Sequence, residues 1–357
     1  MSEAAVVVGQ GFSAAGPLRL AEAGDNNRVE QIFDQLLAED MARFQQSLDE
    51  ALKPQRNYLS EVELEIYRRG KKLRPAILML SARMMHGDSP LPDKVIMAAT
   101  SLEMLHVATM IHDDIIDDAL VRRGLTSVNA SRGTNAAILL GDMQFVQAIR
   151  TFVDAIEFKT EMELVKLVLD TAFRICAGEL DELGTDPNLD TAKLRQRYFD
   201  VIERKTAIMF GLACETGVSL VRGRTSEARR IGFFGRRVGR AFQIVDDLMD
   251  LLQSEAVSGK RRGMDLARRC LSLPIIYAME ALGSEHLVTQ IIRGRGYSES
   301  ELEQCIDAVT RTDGTARAYA DARFQALDAL VYLEPFPANR YRQALRDVAL
   351  YTVNRGF

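Results

Sequence analysis

SLEMLHVATMIHDDIIDDALVRRG, running from Ser101 to Gly124, is the stretch that decides how this chain is read. Leu102, Leu105, Ile111, Ile115 and Ile116 recur at helical intervals, and no Pro or Gly interrupts before Gly124. That pattern predicts one long, largely buried helix. At about 3.6 residues per turn, Asp113 and Asp117 stack on one face with Asp114 beside them. Carboxylates this close repel one another, and burying them unpaired is costly, so a cation has to compensate. Hard oxygen donors in this arrangement suit magnesium, which keeps several waters and shares its remaining positions with phosphate oxygens.

The same spacing returns far downstream in Gln243-Ile-Val-Asp-Asp-Leu-Met-Asp250, where Asp246, Asp247 and Asp250 again stand at i, i+1 and i+4 in an apolar helical run. One such cluster alone reads as a solvated helix face. Two identically spaced clusters in apolar surroundings, where a solvated face does not belong, read as a clamp for metal and diphosphate. The expected metal ligands are Asp113, Asp114, Asp117, Asp246, Asp247 and Asp250.

Outward from these helices, periodicity of the helical kind dominates from Val29 onward. Ser60 and Glu63 form a capping-box pattern, and Pro75 suits a helix first turn. Further helices are predicted over residues 134–153, 161–184, 190–217 and 226–253, with Gly141 allowing a close approach. Residues 122–133 and 259–269 read as loops, Pro274 starts another helix, and about four shorter helices follow. Residues 1–27 are rich in Ala and Gly without a sustained period and read as a weakly ordered tail. Residues 28–357 read as a single all-α domain, a helical bundle around a central cavity.

Composition bounds the function. The 357 residues carry a net charge of -5, which offers nothing to nucleic acid. Four scattered cysteines form neither a metal motif nor a disulfide framework, which favours a reducing compartment and a cytoplasmic protein. No uninterrupted apolar run is long enough to span a membrane.

A magnesium-diphosphate site also needs side-chain cations. Lys71 and Arg74 lie in Gly70-Lys-Lys-Leu-Arg-Pro75 at a helix start, where the helix adds partial positive charge. Arg122 and Arg123 follow the first acid cluster, Lys205-Thr206 lies inside a helix, and Lys260 lies on the loop after the second cluster. Each pair alone is an ordinary surface pair. Together with two acid clusters they outline a site for two diphosphates.

With these motifs and Leu140-Gly141-Asp142, the chain resembles the trans-prenyl diphosphate synthases of the isoprenoid-synthase family, from Val29 to Arg355. The resemblance implies that Lys71, Arg74, His106 and Arg123 hold isopentenyl diphosphate. It implies that Arg122, Lys205, Thr206, Gln243 and Lys260 contact the allylic diphosphate. Asp113, Asp117 and Asp246 would ligate magnesium directly, and Asp114, Asp247 and Asp250 directly or through water. His112 and Asp118 are read as structural.

The implied reaction is a head-to-tail condensation. The allylic C–O bond ionises, the double bond of isopentenyl diphosphate attacks the cation, and a proton leaves to the departing diphosphate. In one respect the chain departs from the family pattern. Cys270 stands where a second loop lysine is usual, and Arg269 where a glycine is usual, so Arg269 is the expected replacement charge. Ala108 and Thr109, one turn before Asp113, are small where short-chain relatives carry an aromatic floor. That implies a long product of the quinone side-chain type, with a twenty- or fifteen-carbon product as the alternative. A floor at Phe145 is the competing reading. A homodimer that hands its product to a membrane is expected. A terpene cyclase and a regulatory subunit of a heteromeric synthase are the rival readings.

Overall fold

The computed structural model describes residues 27–122, 124–222, 224–253 and 261–355. Helices follow one another along the chain: α1 (Asn27–Leu36), α2 (Ala38–Leu52), α3 (Glu61–Arg68), α4 (Leu73–His86), α5 (Asp93–Ile116), α6 (Val128–Arg132), α7 (Thr134–Asp154), α8 (Met162–Leu183) and α9 (Thr191–Ile202). Then come α10 (Ile208–Arg222), α11 (Thr225–Leu252), α12 (Met264–Ala267), α13 (Leu273–Leu282), α14 (Leu287–Ile292), α15 (Glu299–Arg311), α16 (Gly314–Val331) and α17 (Arg340–Asn354). The predicted tail falls almost wholly outside the described residues; Asn27 already begins α1.

The central element is α5. It packs on α7, α4 and α2, while α10 packs on α11 and α4, and α11 on α16. Sixteen of its side chains are buried, including Ser101, Thr100 and Glu103. A helix apolar on nearly all sides can only be a core helix. Ser101 satisfies its hydroxyl by donating to the Ala148 carbonyl at 2.7 Å. Glu103 meets Lys72 at 2.8 Å in a buried pair.

The capping box at Ser60 and Glu63 forms as predicted. Gly141 is required where it stands: a Cβ there would lie 2.2 Å from His112 Nε2, so its absence lets α7 meet α5 closely.

Four expectations about where elements begin and end are corrected. The central helix stops at Ile116 rather than continuing toward Gly124. Asp118 takes φ +49°, the Ala119 N–H bonds to the Asp114 carbonyl at 2.9 Å, and the Asp118 N–H to that of Ile115 at 3.3 Å. This is a Schellman stop with Asp in the place of the usual Gly. A short antiparallel pair follows, Val121–Arg122 with Leu125–Thr126, and then α6, in a region expected to be loop. The predicted helix over 190–217 is two helices joined by a π-turn, Glu203–Ala207. The expected loop over 259–269 contains α12.

The expectation about membrane-spanning length stands for unbroken apolar runs. α5 and α7 are long and apolar enough to cross a membrane, because each keeps few charges without being an unbroken apolar run. For α5 the apolar surface faces the core, with 78% of its most apolar window buried; for α7 the figure is 39%. The uncovered face of α7 carries Leu139, Val146 and Val153, seven residues apart, and α8 beside it exposes Met162, Leu169, Phe173 and Leu180.

Candidate active site

Two consecutive lysines at the start of α4 have different fates. Lys72 is the N-cap in a left-handed conformation, φ +48°, and its ammonium is buried on Glu103. Lys71 is thereby left facing outward, its Nζ donating to the Tyr351 hydroxyl at 3.0 Å. One turn on, the Arg74 guanidinium lies 3.2 Å from His106 Nε2 and 4.7 Å above the centre of the Phe210 ring. The structure therefore brings Arg74 and His106 together and sets Lys71 on the same helical turn as Arg74. Arg123 lies outside the described residues.

Two turns along α5 from His106 stands Asp113. Burial, first, and the charges of Glu179 and Asp117 push its carboxyl up to about 7, against the opposing pull of Lys205. Asp114 is buried and accepts from Arg122 through Nε at 2.7 Å and Nη2 at 2.6 Å. Arg122, expected on a diphosphate, is thus joined to a carboxylate expected on a metal. Asp117, at the helix end, lies 3.1 Å from Arg268.

The second cluster is tied into the protein more firmly. Thr206 Oγ1 donates to Gln243 Oε1 at 2.8 Å, and Gln243 Nε2 donates to Asp247 Oδ1 at 2.9 Å. Tyr198 donates to Asp247 Oδ2 at 2.6 Å. Even with these bonds, burial raises the Asp247 carboxyl above the ordinary carboxylate range. Asp250 accepts the backbone N–H groups of Met264 and Asp265, at 3.2 and 3.1 Å. Asp246 Oδ1 accepts from Arg355 at 2.7 Å, and the Arg355 guanidinium lies 3.6 Å over the Phe242 ring centre.

Lys205 connects the two clusters. It sits in the π-turn, an uncommon local form frequent at functional sites. A Cβ on Gly178 of α8 would lie 2.9 Å from Arg204 Cβ and from the Lys205 backbone nitrogen, so this glycine lets α8 approach the turn. The approach carries the Lys205 ammonium to Glu179 at 2.6 Å and Glu182 at 2.7 Å. Those two carboxylates and Asp113 hold its proton well above the ordinary lysine range. Asp117, Glu179, Glu182, Lys205, Gln243, Asp247 and Arg268 line one cavity of about 610 Å³. Lys260 lies outside the described residues.

The expected six-carboxylate set is only partly assembled. Among the described residues no cluster of three or more acidic, His or Cys side chains forms a ready coordination shell. Asp114 meets Arg122 and Asp247 meets Tyr198 and Gln243, because both are buried and need a protein partner, while the half-buried Asp250 accepts backbone N–H groups. Asp113, Asp117 and Asp246 remain the fitting direct donors. They are hard oxygens, and burial, with the nearby Glu179 and Asp117 carboxylates, makes the charged form of Asp113 costly in a way that a bound cation would relieve.

Ala108 is fully buried, and Thr109 is half-buried with its hydroxyl donating to the His106 carbonyl at 2.8 Å. On α5 the open cavity is lined no deeper than Ile116. Toward the start of α5, a small void of about 10 Å³ is lined by Ala98, Ser101, Leu102, Leu105, Phe152 and Val168, among others.

Several residues of the site escaped sequence reasoning. Tyr198 acts across a long sequence separation and belongs to no local pattern, while Glu182, Tyr351 and Arg268 lie in stretches that match the family pattern but were given no role there. Arg355 was legible only as part of the C-terminal match.

The polyprenyl synthetase family profile matches residues 56–309. Heptaprenyl diphosphate synthase component 2 of Geobacillus stearothermophilus is 30% identical over 324 residues, 90% of this chain and 97% of that protein. Nonaprenyl diphosphate synthase of Mycobacterium tuberculosis is 31% identical, over 91% of this chain and 95% of its own. A decaprenyl diphosphate synthase structure from Rhodobacter capsulatus superposes with a TM-score of 0.79 at 28% identity, over 92% of this chain and 99% of that one.

Proposed function

The chain belongs to the polyprenyl synthetase family, and from that premise we propose that it condenses isopentenyl diphosphate with an allylic diphosphate into a long-chain, all-trans polyprenyl diphosphate. One observation carries this reading. Two helices each serve both halves of the site: α5 bears His106 and Asp113, and α17 bears Tyr351 against Lys71 and, at its C-cap, sets Arg355 against Asp246. A cationic half for one diphosphate and an acidic half for a metal-bound one are thus held at fixed separation.

In this reading Lys71, Arg74 and His106, with Arg123, orient isopentenyl diphosphate. Lys205, Thr206, Gln243 and Lys260 hold the allylic diphosphate, and Arg122 steadies Asp114. Magnesium, held by Asp113, Asp117 and Asp246, would supply positive charge at the leaving diphosphate. Lys205 contributes fixed positive charge where the leaving group gains electrons. The aromatic and aliphatic wall around Phe210 and Phe242 excludes water that would quench an allylic cation.

The uncovered apolar stripes on α7 and α8 support a homodimer that buries them against a second copy. Long product is supported by the small side chains at Ala108 and Thr109. The tail would pass along α5 toward Leu105 and the void above Phe152, with side-chain rearrangement opening the path. Ala108→Phe should put a ring across this route and shorten the product to about fifteen or twenty carbons, since overpacking cannot relax cheaply there. An unchanged length distribution by mass spectrometry would remove the route.

The relative from Geobacillus is named a component, which raises the two-component reading for this chain. Purified protein incubated alone with labelled isopentenyl diphosphate and an allylic primer decides it. Product from the single chain supports the proposal; product only after a second polypeptide is added overturns its self-sufficiency.

A further inference from the structure

After α12 the chain forms one lip of the cavity with three consecutive residues that go different ways. Arg269 takes φ +61° and lines the cavity, with its guanidinium donating to the Arg295 carbonyl at 3.4 Å. Cys270 lines the cavity, but burial and the charges of Asp265 and Glu182 push its thiol far up, so it stays neutral. Arg268 reaches across the cavity mouth to Asp117 at 3.1 Å, linking the loop after the second acid cluster to the end of the first.

The other basic side chains on this cavity are held elsewhere. Lys205 is shared by Glu179 and Glu182, and Arg197 lies on Asp181 at 2.7 Å. Those partners all lie on α8, whereas the Arg268–Asp117 pair joins the loop to the first acid cluster, with both side chains about one-third exposed, 32% and 34%. Water screens such a pair, so it exchanges partners at little cost. A diphosphate offers a guanidinium several charged oxygens in a matching fork, which outcompetes one exposed carboxylate.

We propose that Arg268, and not Arg269, is the loop cation that grips the allylic diphosphate, closing the lip over the acid clusters by exchanging Asp117 for phosphate oxygens. The inference rests on the prenyl-transfer reading above. It corrects the expectation that Arg269 replaces the charge missing at Cys270. Both arginines line the cavity, and their partners decide the matter: Arg269 donates to the Arg295 carbonyl, while Arg268 pairs with a carboxylate of the first acid cluster.

The test compares full-length wild type, Arg268→Gln, Arg268→Lys, Arg269→Gln and the double variant Arg268→Gln/Cys270→Lys. Calorimetric binding of inorganic pyrophosphate with magnesium reads the site without turnover, and steady-state assays read KM for each substrate. In Arg268→Gln, pyrophosphate should bind about tenfold more weakly and the allylic KM rise about tenfold, the scale of one charge-assisted hydrogen bond. The isopentenyl diphosphate KM should stay within about twofold. Arg268→Lys should keep most of the affinity, and Cys270→Lys should restore most of what Arg268→Gln loses. Arg269→Gln should match wild type.

An Arg268→Gln protein with unaltered pyrophosphate affinity and allylic KM overturns the assignment while leaving the prenyl-transfer reading intact, as does an equal defect in Arg269→Gln. Equal rises in both substrate KM values overturn it too, by pointing to a fold defect. Wild type that neither binds pyrophosphate nor condenses the substrates overturns both.

Discussion

Two segments of this molecule share one acidic spacing and differ in nearly everything else. The first cluster lies at the end of α5, where the helix unwinds. Asp113 is raised by burial and feels the nearby Lys205 charge, and Asp117 sits one-third exposed in the cap with a screened arginine partner. The second cluster lies inside the last turns of α11. There Asp247 is gripped by Tyr198 and Gln243, and Asp250 by two backbone N–H groups. The first cluster holds an exposed pair that exchanges partners at little cost. The second is fixed by the protein around it. A site that must bind, ionise and release diphosphate in repeated cycles gains from one anchored wall and one adjustable wall.

The largest effect that tests this contrast is loss of a direct donor from either wall. Asp113→Ala and Asp246→Ala should each lower turnover on the order of 10²–10³, as when one group stabilising developing charge is removed. Near-wild-type turnover in either, in a magnesium-dependent assay, breaks the clamp.

A smaller effect separates the anchored wall from the mobile one. Tyr198→Phe removes the hydroxyl that orients Asp247, and outer-shell changes of this kind cost roughly 10–100-fold in metal affinity or activity. We expect about tenfold in the magnesium concentration needed for half-maximal rate. A Tyr198→Phe enzyme with an unshifted magnesium requirement would mean that the second cluster is not anchored for metal binding.

Asp114→Asn tests stability. It leaves Arg122, 22% exposed, without its charged partner. The expected loss is on the order of 1–3 kcal/mol in denaturant unfolding. An unchanged unfolding midpoint would return Asp114 to the metal-binding role and Arg122 to the diphosphate-binding role that sequence assigned them.

The smallest effect is in pH dependence. The Asp113 carboxyl is raised from its ordinary range to about 7, so the folded protein binds its proton more tightly than the unfolded chain does. Its contribution to stability is therefore complete below the unfolded value near 4 and is lost as pH rises through about 7. In EDTA, the melting temperature should fall between pH 5 and 8, and Asp113→Asn should remove part of that fall. Asp247 and Asp265, also raised by burial, keep the remainder. Identical slopes in both proteins would mean that Asp113 is no more buried than Asp117.

The sequence by itself determined the helical class, the Ser60 cap, the close approach at Gly141, and the residues that bear charge. Apolar periodicity, capping chemistry and acid spacing are local, and a local signal survives without neighbours. It also marked Lys71, Arg74 and His106, which the fold brings onto two touching helices.

Tertiary structure alone decided which of those charges are available. Lys71 and Lys72 are indistinguishable in sequence, yet a left-handed residue sends one into the core and the other to the site. Arg268 and Arg269 both line the cavity, yet one meets an acid-cluster carboxylate and the other a backbone carbonyl. Asp114 and Asp247 look like metal ligands until burial obliges them to find protein partners eight and forty-nine residues away. Desolvation depends on what packs above a side chain, and that is fixed only when distant segments meet.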